Sequence, residues 1–283
     1  MAKIKIISDS TCDLSPELIK ENDIEVIPLY VSFPDHSYKD GVELDPKTLY
    51  QKVEEYKVLP KTSALTINDF MQVFEKYLNE GYDIIYTGIS KAMSSTFNNA
   101  RLAAEELDPE RISVVDSMNL STGIGLILLR MAKLVKEGKS LEEITKDIEV
   151  YRQKVKVQFA IPTLDYLYKG GRCSGLTNFV GKMFKIKPII EVRDGKMSVG
   201  PKARGKMINA LNMLLNMVKN DLDNIEPENV FVTHSLNDED AKYLETELLK
   251  FLPKGIKLYN TYAGCVISSH CGQGTIGILY VVK

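Results

Sequence analysis

The chain is short of the residues on which most side-chain chemistry depends. Its 283 residues include only three histidines, His36, His234 and His270, and four cysteines, Cys12, Cys173, Cys265 and Cys271. The cysteines are far apart and form no Cys-x-x-Cys pair, which argues against a zinc ribbon or a dithiol redox centre and leaves free thiols. A metal site built on His270-Cys271 with Cys265 is disfavoured, because neighbours on an extended chain point to opposite faces. No apolar run reaches the roughly 20 residues that span a bilayer. The longest, residues 123–129, is followed by Arg130 and Lys133. Charge of one sign is missing too: 36 Lys plus Arg face 38 Asp plus Glu, so no net field or basic stripe favours nucleic acid. Neither an internal repeat nor a low-complexity linker is visible.

What is present is a globular composition. Hydrophobic residues make up 44% of the chain, ample for sizeable cores, and the length suits two domains. The start, Lys3-Ile4-Lys5-Ile6-Ile7, alternates charged and β-branched residues and runs into Ser8-Asp9-Ser10. It reads as a first strand rather than a signal peptide, which points to a cytoplasmic protein. Ser15-Pro16 then opens a helix to about residue 21. Extended stretches follow at 25–28 and 37–39, the latter closing on the turn pair Asp40-Gly41, and a helix spans about 46–56. Thr66 and Asp69 have capping-box spacing, with Phe70, Val73, Phe74 and Leu78 behind them at helical intervals.

Strands at 83–86 and 111–115 alternate with helices to about 106 and over 119–136, the signature of a parallel sheet. Ser140 and Glu143 form a second capping box, for a helix to about 151. Beyond it the rhythm changes. A strand at 156–161 and a short helix at 163–170 precede a hairpin, 189–192 and 197–200, turned on Asp194-Gly195. Helices near 206–220 and 239–251 and strands near 230–234, 257–260 and 275–282 complete a second α/β unit. The expected fold class is therefore α/β in two domains, 1–154 and 155–283: an N-terminal three-layer α/β domain with a parallel sheet, and a C-terminal α/β domain with a mixed, largely antiparallel sheet.

Several segments invite chemistry. Two hydroxyl clusters, Lys61-Thr62-Ser63-Ala64 and Ser90-Lys91-Ala92-Met93-Ser94-Ser95-Thr96-Phe97, sit at the mouths of αβ units, where hydroxyls and unpaired helix-start amides suit an anionic head group. Gly88-Ile89-Ser90-Lys91-Ala92 is one residue short of a Gly-x-Ser-x-Gly nucleophile elbow. A serine hydrolase acting on acyl esters would need one of the three histidines to reach Ser90. Gly272-Gln273-Gly274-Thr275-Ile276-Gly277 matches Gly-x-Gly-x-x-Gly, but a strand-like segment follows where a dinucleotide site needs a helix, so a glycine turn is the better reading. Asp9-Ser10-Thr11-Cys12-Asp13 is read as a turn before a metal loop. Arg172, after Gly170-Gly171, is either a solvated arginine or a fork for carboxylate or phosphate.

In order along the chain, Ser8-Asp9-Ser10-Thr11, Asp40-Gly41, Lys61-Thr62-Ser63, Ser94-Ser95-Thr96-Phe97, Asp116-Ser117, Lys169-Gly170-Gly171-Arg172, Ile186-Lys187-Pro188 and His270-Cys271-Gly272-Gln273-Gly274 resemble the landmarks of the DegV family of bacterial fatty-acid-binding proteins. Members of that family serve as acyl-carrying subunits of fatty acid kinase. The resemblance covers essentially the whole chain. It implies a non-catalytic lipid carrier with no cofactor, whose ligand is a palmitate-like or oleate-like fatty acid with its tail in a tunnel associated with both domains. By the family's motif, Thr62 and Ser94 hydrogen-bond the carboxylate and Arg172 and His270 support the head group. Arg204 belongs to a basic segment that meets the kinase's catalytic subunit, which converts the presented acid to acyl phosphate. Transient membrane contact, without a transmembrane segment, fits such a carrier; a regulatory lipid sensor without handoff is the remaining variant. Three positions depart from the pattern: Ser95 for glycine, Ala64 for glutamine and Gln273 for proline. The first leaves both Ser94 and Ser95 as hydroxyls able to face the carboxylate.

Overall fold

The apolar stretch too short to span a membrane is a helix packed inside the protein. In the computed structural model, which describes residues 3–174 and 186–283, Thr122–Lys136 is helical and Ile124, Leu126, Ile127, Leu128 and Met131 are all 1% exposed or less. A helix that is apolar nearly all round must be covered nearly all round. Two sheets cover this one.

In chain order the elements are β1 (Lys3–Asp9), α1 (Pro16–Glu21), β2 (Ile24–Ile27), β3 (Tyr30–Ser32), β4 (Ser37–Lys39), α2 (Pro46–Tyr56), β5 (Lys61–Ser63), α3 (Ile67–Asn79), β6 (Tyr82–Tyr86), α4 (Thr96–Leu107), β7 (Ile112–Val114), α5 (Thr122–Lys136) and α6 (Leu141–Tyr151). They continue with β8 (Val155–Ala160), α7 (Asp165–Gly170), β9 (Cys173–Ser174), β10 (Ile186–Arg193), β11 (Lys196–Arg204), α8 (Met207–Asn220), β12 (Asn229–His234), α9 (Asp238–Leu248), β13 (Lys257–Tyr262), α10 (Cys265–Cys271) and β14 (Ile276–Val281).

The first sheet runs β2-β1-β6-β7 with every pairing parallel, as strands joined through helices require. The second runs β13-β12-β14-β8-β10-β11-β9, antiparallel except for the β12–β13 and β11–β9 pairs. This is the α/β class expected from the alternation, with a parallel first sheet and a mixed second one. Local signals act where the sequence puts them. Ser15 caps α1, Thr66 and Ser140 close capping boxes, and Asp194 and Gly195 take φ of +50° and +76°, the left-handed pair of a tight hairpin turn.

Helix α5 lies between the sheets, and the core around it draws Ile6 and Ile85 from the first and Val157, Phe159, Phe231 and Leu279 from the second. The apolar interior is thus continuous across residue 154.

One segment that the sequence left without an assignment is a strand, and another differs from expectation. Lys61–Ser63 is a strand, pairing with β3 in a small sheet ordered β4-β3-β5. At three residues it is too short to show a period. Residues 265–271 are helical rather than extended, so the opposite-faces argument applied to His270 and Cys271 does not hold there.

Candidate functional site

The two hydroxyl clusters meet at one cavity of about 250 Å³. Strand β5 contributes Thr62 and Ser63, the residue after it contributes Ala64, and the loop after β6 contributes Ile89, Met93, Ser94 and Ser95. Helix α10 supplies Val266, Ile267, His270 and Cys271. These are two i,i+4 pairs, which is how a helix presents one face. Arg172 stands on the wall, while Leu29, Leu120 and Met197 add apolar surface. The cavity therefore combines hydroxyls and the Arg172 and His270 side chains with apolar surface. Beyond Leu120, Ile267 and Cys271, whose side chains it shares, lies a second space of about 20 Å³ walled in part by Val157, Phe159 and Leu279.

At the polar side Thr62 Oγ1 lies 2.8 Å from His270 Nε2. His270 Nδ1 is buried and has no hydrogen-bond partner among the described residues. Burial, and then the nearby Arg172 charge, pushes the imidazole down to about 4, so it is neutral at pH 7 and carries one N–H. Placing that proton on Nδ1 would bury an unpaired donor, whereas on Nε2 it donates to Thr62. Thr62 then keeps its own O–H free to donate into the cavity. The same depression makes a pH prediction. An unfolded histidine titrates near 6.5, so as pH falls from 6.5 to 4 the unfolded chain gains a proton that the folded chain refuses, and stability is lost. The size is about 3 kcal/mol. Urea titrations at pH 7 and pH 4 should show His270→Gln losing less stability than the parent by roughly that amount; equal losses would contradict the assignment.

Ser94 Oγ accepts from Thr96 N at 3.2 Å and is 2.8 Å from Thr96 Oγ1, which ties it to the start of α4 while it faces the cavity. Ser95 also lines the cavity and is exposed. Its φ and ψ of −76° and −5° are ordinary right-handed values, so the backbone here does not need the glycine of the family pattern. Arg172 is exposed and donates through Nη1 to the Gly170 carbonyl at 2.7 Å. Gly170 touches the site directly: a Cβ there would sit 2.5 Å from His270 Nδ1. Gly170→Ala should therefore swing the ring off Thr62. The expected result is weaker ligand binding with a melting temperature within a few degrees of the parent, measured by calorimetry on the same sample. Arg204 ends β11, is exposed and lies outside the cavity wall. Thr62, Ser94, Arg172 and His270 are brought together; Arg204 is not.

Ser90 has another role. It is fully buried and donates from Oγ to the Gly195 carbonyl at 2.8 Å, so its proton is committed to an acceptor that is no base, which leaves the nucleophile reading without its geometry. The acidic landmarks hold the same loop. Asp9 accepts from Tyr86 Oη and Ile89 N, each at 2.9 Å, and from Thr11, with burial raising its pKa. Asp116 Oδ1 accepts from Lys91 N and Met118 N, each at 3.1 Å. In Gly272-Gln273-Gly274 the glycines take φ of +84° and +82°, and β14 follows, not a helix. The sequence reading missed Val266, Ile267 and Cys271 as wall residues; their spacing with His270 is the helical signal that would have found them. A larger concavity, about 760 Å³, opens elsewhere among Arg152, Lys156, Glu191, Asp194 and Asp221. Its charged walls do not suit an apolar ligand, which favours the smaller site.

Comparison with known proteins agrees with this architecture. The profile of the family described as "Uncharacterised protein, DegV family" matches residues 3–283. A DegV domain-containing protein of Clostridium acetobutylicum is 37% identical over 283 residues, covering 100% of both chains. A DegV family protein from Thermus thermophilus that binds fatty acid superposes with a TM-score of 0.92 at 31% identity, covering 100% of both chains. Bacillus subtilis DegV, a fatty acid binding protein, gives 0.87 at 30% identity, again over 100% of both.

Proposed function

The chain belongs to the DegV family, and from that premise we propose that it binds a long-chain fatty acid, with Thr62 and Ser94 holding the carboxylate and the acyl tail buried. The observation that carries this reading is one cavity lined by Thr62, paired to His270, by Ser94 and by several apolar side chains. Burying about 14 methylenes at ~0.8 kcal/mol each gives roughly 11 kcal/mol of favourable transfer. That competes with an association cost of about 4–15 kcal/mol, so a preformed cavity matters. An unpaired buried carboxylate would be expensive, and hydroxyl donors offset that expense. Arg172 at the rim adds an attractive charge, and the relatives that bind fatty acid support the ligand class.

On this reading the chain is a substrate-presenting, non-catalytic subunit that needs no cofactor of its own. Its ligand is palmitate-like or oleate-like. The exposure of Arg172, Ser95 and Arg204 suits a carboxylate offered at the surface to a fatty acid kinase, with Arg204 as a contact for it. We take residues 1–154 and 155–283 as two domains that share the tunnel, since the cavity draws Thr62 and Ser94 from the first and Arg172 and His270 from the second. No helix among the described residues is long and apolar enough to cross a membrane; cytoplasmic residence and passing membrane contact belong to the same proposal. The test is direct: denature the purified protein, extract lipid and identify it by mass spectrometry. A C16–C18 fatty acid is expected. If none is extracted, and added palmitate or oleate neither binds nor raises the melting temperature, the proposal is wrong.

A further inference from the structure

Helix α10 carries His270 and three other wall residues on one face, yet it spans only Cys265–Cys271. A helix this short has little intrinsic stability to set its own rotation. Turning it by one residue, about 100°, would carry His270 off Thr62. Something outside the helix must fix its phase. The first-turn amides, which have no acceptor within a helix, are taken by two buried carboxylates from distant parts of the chain. Asp13 Oδ1 accepts from Gly264 N at 2.8 Å, Asp40 Oδ1 from Cys265 N at 2.7 Å and Asp40 Oδ2 from Val266 N at 3.3 Å. Asp13 is 7% exposed and Asp40 3%. Each acid is oriented in turn. Ser121 Oγ donates to Asp13, and Ser10 Oγ donates to Asp40 at 2.8 Å while accepting from Leu29 N, itself next to a cavity wall side chain, at 3.1 Å. The arrangement is costly. Burial raises the pKa of both acids, and the Asp40 charge adds to the rise at Asp13, so two acids are kept where apolar residues would avoid the penalty.

We propose that Asp13 and Asp40 are positioning residues for the head-group site: together they fix the rotation of α10 so that His270 Nε2 meets Thr62. This rests on the fatty-acid reading and deepens it. The two acids do not predict the same tolerance. Asp40 serves two backbone amides and a hydroxyl, so Asp40→Asn loses an acceptor. Asparagine at Asp13 can still accept from Gly264 N while its amide donates to Ser121, whose hydroxyl rotates. Asp13→Asn should rescue what Asp13→Ala loses.

The experiment compares palmitate with hexadecanol, which shares the tail and lacks the carboxylate, by calorimetric titration of delipidated full-length protein. Asp40→Asn and Asp13→Ala should lose at least tenfold in palmitate affinity and less than threefold in hexadecanol affinity. Thr62→Val added to Asp40→Asn should cost little more, because both changes break one coupled unit. Equal losses for the two ligands, or additive losses with Thr62→Val, would overturn the proposal. Ser10→Ala and Ser121→Ala serve as milder variants should an acid replacement fail to fold. An independent readout is the imidazole ¹⁵N spectrum of ligand-free protein. The parent should show His270 protonated at Nε2, and Asp40→Asn should show that signal altered. If the parent binds neither ligand, the fatty-acid reading falls, and the ¹⁵N comparison alone then decides whether the acids aim His270.

Discussion

Thr62→Val should weaken palmitate binding by about 10- to 150-fold and leave hexadecanol binding within a few-fold of the parent. The range follows from hydrogen bonds to a charged group, each worth about 1.5–3 kcal/mol when one partner is removed from a closed site. Valine keeps the shape of threonine, so the fold and tail contacts survive. What is lost is the O–H proposed to meet the carboxylate, together with the acceptor for His270 Nε2, 2.8 Å away. Ser94→Ala should have a smaller effect, because Ser94 Oγ is already engaged with Thr96 and Ser95 stands beside it on the cavity wall. The double variant Thr62→Val/Ser94→Ala should bind the acid no better than the alcohol. Isothermal titration of the two ligands against the variants measures this, and an unchanged preference for the acid would remove Thr62 from the head-group role.

Gly88→Ala should be the most damaging single-methyl change near the site, but through stability. A Cβ at residue 88 would stand 2.0 Å from Asp9 Oδ2 and 2.3 Å from Tyr86 Oη, an overlap that no side-chain rotation relieves cheaply. The buried carboxylate would have to move, stranding Ile89 N and the Tyr86 hydroxyl that it now accepts from at 2.9 Å each. A buried polar group left unpaired costs about 1–3 kcal/mol, so the total should reach about 4 kcal/mol. For a chain of this size that lowers the melting temperature on the order of 10 °C. Differential scanning calorimetry checks it; a melting temperature within 2–3 °C of the parent would show that the loop has more slack than its hydrogen bonds suggest.

Much of the architecture was legible because it is written in local chemistry. Ser15, Thr66 and Ser140 each announce a helix by capping it, and Asp194-Gly195 announces a hairpin by its left-handed pair. The segment left unassigned and the one misread each have a physical reason. Strand β5 draws its identity from β3, through the Val31–Thr62 pairing across the fold, and no local period marks it. Helix α10 opens on Gly264 with no side-chain cap of its own, since its caps are Asp13 and Asp40, more than two hundred residues away in sequence. The candidate head-group residues were legible only as members of a family pattern. Nothing in the spacing of Thr62 and His270 says that they touch. The acidic landmarks show the converse. Asp9, Asp40 and Asp116 stand out in the sequence, and each proves to brace the loop or helix that presents a wall residue rather than to face the cavity.

Helix α5 binds the two proposed domains to one another. Because one apolar rod is clasped from both sides and its neighbours include Ile6 and Ile85 on one hand and Phe159 and Leu279 on the other, neither half could be transplanted, shortened or produced alone without laying bare a hydrophobic flank. Change in such a protein has to be negotiated between distant segments at once.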